Sequence, residues 1–145
     1  MIVHLYEQYG DRCVDHLRGM FTFAIWDLPR RQLLVARDRL GIKPLYYAEL
    51  DGGVAFASEL KPLLQLPEVS RRLNWQAVGH LFTFLATPSS SSIVKGVRKL
   101  EPARIATATD GRAVRVERYW DVEFEPDEHS SEDELVERLR ELLVE

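Results

Sequence analysis

The densest run of chemically capable residues is Arg37-Asp38-Arg39-Leu40-Gly41-Ile42-Lys43-Pro44-Leu45-Tyr46-Tyr47. It sets three cations, one acid, a glycine and a proline between two apolar stretches. Gly41 permits a positive φ, and Pro44 stiffens entry into the following segment. Asp38 is placed to accept backbone N–H bonds within such a turn. Two readings fit: a structural corner in which Arg37 or Arg39 pairs with Asp38, or a loop that holds a ligand. Other candidates for chemistry thin out quickly. Cys13 is the only cysteine, which rules out a disulfide scaffold. It falls beside Val14 and near Leu17 on an expected helix, the setting of a buried and inert thiol. His4, His16, His80 and His129 show no metal-ligand spacing with one another or with Cys13, which argues against zinc. No glycine-rich phosphate loop of the Walker or dinucleotide-binding type occurs.

The elements that must position the corner follow from periodicity. Ile2, Leu5, Tyr6 and Tyr9 recur at helical spacing, with Gly10 as the stop. Cys13, Val14 and Leu17 suggest a further short helix closed by Gly19. Residues 20–27 and 32–37 read as two strands across a Leu28–Arg31 turn. Residues 45–49 and 54–57 read as two more across Asp51-Gly52-Gly53. Four antiparallel strands are thus expected in succession. Their near-continuous apolar character predicts cover on both faces, hence a layered α+β fold. Ser58 is expected to cap a short helix through Leu64. Asn74 is expected to cap Trp75–Phe84, with Val78, Leu81, Phe82 and Leu85 on the buried face. The run Ser89–Ser92 reads as an exposed flexible loop. Residues 104–108 and 114–118 read as a hairpin around Asp110-Gly111. Ser131 and Glu134 form a capping box ahead of a helix carrying Leu135, Leu139, Leu142 and Leu143.

The chain has 145 residues, 46% apolar and 29% charged, the composition of an ordinary soluble protein of about one domain. No apolar run is long enough to span a bilayer, and no basic leader precedes an apolar stretch at the start. A reducing cytoplasm is the expected address, with no membrane partner. The net charge of −4 conceals a split: residues 1–120 hold 17 basic against 12 acidic residues, and residues 121–145 hold 2 against 11. The basic residues are scattered, unlike the clustered Lys/Arg and interleaved aromatics of a nucleic-acid face, so no nucleic-acid partner is expected. The acidic stretch reads as a solvated segment.

Several blocks carry a family resemblance. GMFTFAIWD (Gly19–Asp27), LLVARDRLGIKPLYY (Leu33–Tyr47), FASELKPLLQLP (Phe56–Pro67), LNWQAVGHLFTFLATPSSSSIVKGVRKL (Leu73–Leu100) and RYWD (Arg118–Asp121) follow in order. Together they resemble the glutamine amidotransferase domain of glutamine-hydrolysing asparagine synthetases. A similar corner followed by Ala-Ser-Glu occurs in amidophosphoribosyltransferase, but the middle helix, the serine-rich loop and Tyr-Trp-Asp favour the synthetases. The resemblance implies part of an Ntn-hydrolase type αββα sandwich over residues 1–120, antiparallel strands with flanking helices. It further implies an acidic linker over 121–129 and the first helix of a synthetase domain over 130–145. It implies a full-length enzyme in which ammonia released from glutamine attacks an aspartyl adenylate made with ATP and magnesium.

Within this chain the resemblance assigns no catalytic, substrate-binding or metal-binding residue. The family's nucleophile is an N-terminal cysteine whose own amino group is the base, and Cys13 is not that residue. The family's glutamine-binding residues and its pyrophosphate loop have no counterpart here. A gene-model fragment or an internal start is therefore expected, as is no glutaminase activity in the chain alone. Arg37, Asp38, Gly41, Lys43 and Pro44, with Ser58 and Glu59, are expected to act as structural support. The implied partners are the N-terminal half of the glutaminase domain and the synthetase domain, with a homodimer left open. The remaining alternatives are an inactive interaction or dimerisation module, and part of another amidotransferase such as a peptide-modifying or lactam-forming synthetase. One departure stands out: Leu100-Glu101-Pro102-Ala103 replaces the family's Leu-Pro-Pro-Gly. Alanine disfavours a positive φ, so a different turn is expected there.

Overall fold

The computed structural model describes residues 1–109, 113–126 and 129–144. Its strands form two antiparallel sheets rather than one succession. The first sheet has the order β1-β2-β6-β7, from β1 (Thr22–Asp27), β2 (Gln32–Arg37), β6 (Arg104–Thr109) and β7 (Arg115–Arg118). The second has the order β4-β3-β5, from β3 (Tyr46–Leu50), β4 (Gly53–Ala57) and β5 (Val97–Lys99). The first two expected hairpins exist, but the corner between them carries the chain from one sheet to the other; the strands of the third, β6 and β7, pair as expected. β5 was not anticipated, being only three residues long.

The apolar runs are explained by burial on both faces. Leu34 and Ala36 of β2 pack with Tyr6, Cys13, Val14 and Ile105, under helix α1 (Ile2–Tyr9) and the 3-10 helix Gly10–His16. Val35, one step away, turns to the opposite face and meets Leu45, Tyr47, Leu100 and Ala106 between the sheets. Beyond β3, Ala48 packs with Leu63, Val69, Val94 and Val97, beneath the short helix α2 (Leu60–Leu63). The order of layers is thus helices, sheet, sheet, helix, the mixed architecture that period-two burial on both faces requires.

Four local expectations change. Glu59, not Ser58, precedes α2, and no side chain caps it. Helix α3 (Trp75–Phe84) starts where expected, with the Ala77 N–H donating to Asn74 Oδ1 at 3.3 Å, yet its only buried residue is Ala77. Leu81, Phe82 and Leu85 are exposed rather than buried. Ser92 is not loop surface: it is 2% exposed, its hydroxyl donates to the Val94 and Val97 carbonyls, and it accepts from the Val94 N–H. Ala103 takes φ 54°, the left-handed conformation that its Cβ disfavours, so the turn persists despite the missing glycine. The Asp110-Gly111 turn lies outside the described residues, as do Asp127 and Glu128 of the expected linker. Residues 121–126 form neither helix nor strand. Helix α4 (Glu132–Val144) has no buried residue. Its capping box is formed: the Ser131 N–H donates to Glu134 Oε2 at 2.8 Å and the Glu134 N–H donates to Ser131 Oγ at 3.4 Å. Among the described residues no helix is long and apolar enough to cross a membrane.

Candidate functional site

The corner is built at the end of β2, where the chain must turn out of one sheet and into the other. Arg37, the last residue of β2, sends its guanidinium to three main-chain oxygens. Nε donates to the Lys43 carbonyl at 2.7 Å, Nη1 to Leu100 and Nη2 to Gly41. Asp38 is 1% exposed. Its Oδ1 accepts from the Ile42 N–H and its Oδ2 from the Lys43 N–H, each at 3.0 Å. Its carbonyl accepts from Gly41 and Ala103, and its own N–H donates to Phe21. The aspartate therefore organises the turn as expected. The expected ion pair does not form: Arg37 is committed to carbonyls, and Arg39 lies over the Trp120 ring, 5.5 Å from its centroid.

The electrostatics follow from this geometry. Burial alone pushes the Asp38 carboxyl up, but the Lys43, Ile42 and Gly41 N–H groups, with the Arg37 charge, together hold it below its ordinary value. Burial lowers the Arg37 guanidinium, with the Asp38 carboxylate opposing. Tyr119 donates from its hydroxyl to the Arg37 carbonyl at 2.8 Å. Burial first, then the Asp38 charge, pushes that phenol up to about 12.

Gly41 is fixed twice over. Its φ is +66°, and an added Cβ would lie 2.7 Å from Pro102 Cγ and 3.1 Å from the Arg37 guanidinium. Lys43 contributes through its main chain, which serves Arg37 and Asp38, while its side chain stands exposed; Pro44 is exposed too. Ser58 and Glu59 are also exposed and lie outside the hydrogen-bonded core of the corner. The register brings them to the same end of the second sheet, because Tyr46 pairs with both Ala57 and Lys99. Two contributors were invisible in the sequence, Leu100 and Tyr119. They join Arg37 across 63 and 82 residues, and no local pattern encodes such a distance.

Cys13 is fully buried, and burial, with Asp11 and Asp15 nearby, pushes its thiol up and away from the reactive thiolate. Among the described residues no group of three or more His, Cys, Asp or Glu side chains could hold a metal ion.

Comparison with known proteins gives the family. A glutamine amidotransferase domain model matches residues 1–120. Asparagine synthetase [glutamine-hydrolyzing] 3 of Bacillus subtilis is 37% identical over 136 residues, which cover 92% of this chain and 22% of that protein. Asparagine synthetase [glutamine-hydrolyzing] 2 of the same organism is 49% identical over 76 residues, covering 52% and 10%. Amidase chry2 of Gibberella zeae is 34% identical over 156 aligned positions, covering 100% of this chain and 22% of that protein. The chain thus spans about a fifth of the length of the curated relatives that it matches along most of its own.

Proposed function

Because the chain belongs to the glutamine amidotransferase domain family, we propose that it is part of a glutamine-hydrolysing asparagine synthetase, the reading its bacterial relatives' names support. In that reading residues 1–120 are the rear portion of an Ntn-hydrolase type glutaminase, 121–129 the linker, and 130–145 the first helix of the synthetase domain. The whole enzyme works in the cytoplasm and makes asparagine from aspartate with ammonia drawn from glutamine. ATP and magnesium belong to the synthetase domain, and no residue of this chain is assigned to them. The Arg37–Asp38 corner is the observation that carries the reading. It consists of family-signature residues, and its polar groups are turned inward on the main chain, as structural support for a site requires.

Two assays test this. The polypeptide encoded by the complete reading frame should form asparagine from aspartate, ATP and glutamine; glutamine hydrolysis without asparagine would assign it another acceptor. The 145-residue chain by itself should release no ammonia from glutamine above a buffer blank, since its one thiol is buried and protonated. Turnover that Cys13→Ser abolishes would overturn that expectation.

A further inference from the structure

Where β7 ends and the acidic segment begins, the surface is concave. The cleft has a volume of about 310 Å³, and three arginines line it, Arg39, Arg104 and Arg118. Two of these already have acidic partners: Arg104 faces Glu101 at 3.4 Å, and Arg118 pairs with Asp121. Glu101 and Asp121 line the same cleft. Arg39 is different. It is half-buried, and its guanidinium lies on Trp120. The Nε atoms of Arg39 and Arg104 are shut off from solvent, and neither has a hydrogen-bond partner. Native proteins leave few buried donors unpaired. The cleft itself sets three cations against two carboxylates, which leaves it one negative charge short.

We propose that this cleft binds a small molecule through a single carboxylate held by Arg39. Guanidinium and carboxylate match as planar forks, and a guanidinium backed by an aromatic ring keeps its edge N–H groups free to donate. The charge balance sets the class. One carboxylate neutralises the cleft, whereas a doubly charged phosphate would crowd against Glu101 and Asp121. The volume sets the size: at about 30 Å³ per water-sized group, the cleft holds roughly ten non-hydrogen atoms. The site is independent of the amidotransferase reading, and the corner's own hydrogen bonds remain intact when it fills.

The test is a titration of the whole chain with succinamate, a small singly charged carboxylate, followed by NMR at the arginine Nε–H and tryptophan indole N–H signals. Saturable shifts should appear at Arg39 and Trp120. Arg39→Gln should weaken binding by about tenfold or more, the loss of one charge-assisted contact, with the thermal midpoint serving as the folding control. Arg39→Lys keeps the charge without the fork and should fall between wild type and Arg39→Gln. Inorganic phosphate should bind more weakly than succinamate. Absence of saturable shifts, full affinity in a folded Arg39→Gln chain, or tighter binding of phosphate would each overturn the proposal. Arg118→Gln offers a second variant in the same cleft, and an effect on affinity larger than that of Arg39→Gln would also count against the proposal.

Discussion

At the scale of single residues, the corner depends on one carboxylate and one strained alanine. Asp38 is buried and accepts two main-chain N–H bonds. Asp38→Asn leaves one of those donors facing an amide N–H, and should lower stability by about 1–3 kcal/mol in denaturant titrations. The pH dependence has a definite sign. The folded-state pKa of Asp38 is depressed below 3.8, so its contribution is full above the unfolded value and is lost as pH falls through the folded one. Tyr119 works at the other limb. Its phenol is raised from 10.0 to about 12, so its contribution is full below pH 10 and is lost between those values. Thermal midpoints measured against pH should fall at both ends, with Asp38→Asn flattening the acid limb and Tyr119→Phe the alkaline one. Ala103 sits at φ 54° and 4% exposure. A left-handed residue costs roughly 1–2 kcal/mol that glycine escapes, against about 0.8 kcal/mol for one lost buried methyl and some gain in unfolded-state freedom. Ala103→Gly should therefore be near neutral, while the β-branched Ala103→Val should be strongly destabilising, as denaturant midpoints will report.

At the scale of elements, stability is unevenly spread. Helix α4 touches no core, so its structure rests on its own capping and spacing. Ser131→Ala should reduce the helical signal in circular dichroism yet leave the global thermal midpoint unchanged; a shift in that midpoint would mean that α4 is docked. Elements with local signatures were legible in the sequence: α1 and its Gly10 stop, β2, the Asn74 cap and the Ser131–Glu134 box all lie where the residues put them. What escaped is non-local. Residues 22–37 and 46–57 each announce a hairpin, but nothing within them says that β2 pairs with β6 instead of joining β3. The apolar face of α3 satisfies helical periodicity whether or not anything covers it, so Phe82 could not be placed from spacing alone. The corner itself was half legible. Asp38 and Gly41 declared a turn, whereas the role of Arg37 depends on Leu100 and Tyr119, which only the assembled sheets supply.

At the scale of the whole molecule, the interior of the described residues is divided into three apolar clusters, one beneath the N-terminal helices, one between the sheets and one beneath α2. A second apolar surface lies outside them. Trp75, Phe82, Phe84 and Leu85 are 71%, 82%, 68% and 88% exposed, a concentration of large apolar groups that soluble monomers rarely carry. The outer strands β1 and β7 add open edges to one sheet. The purified chain should therefore associate with rising concentration in sedimentation experiments and bind an apolar dye in its native state. Phe82→Glu combined with Leu85→Lys should reduce both effects, and a strictly monomeric wild type that excludes the dye would disprove the expectation.

Tyr119 gives the molecule a mechanical property. Its N–H donates to the Ala103 carbonyl while its hydroxyl donates to Arg37, and Ala103 in turn donates to Asp38. These bonds lie just before the chain leaves the sheets at Asp121. They act as a mooring: a pull on the acidic segment loads the two bonds of Tyr119, and through Ala103 the bond to Asp38, before it can peel β7 from β6. The segment beyond can therefore swing or be tugged while the strands behind it keep their register. Tension strong enough to slip the mooring would reach Arg37 and Asp38 first, making the corner the point at which force on that segment would be felt.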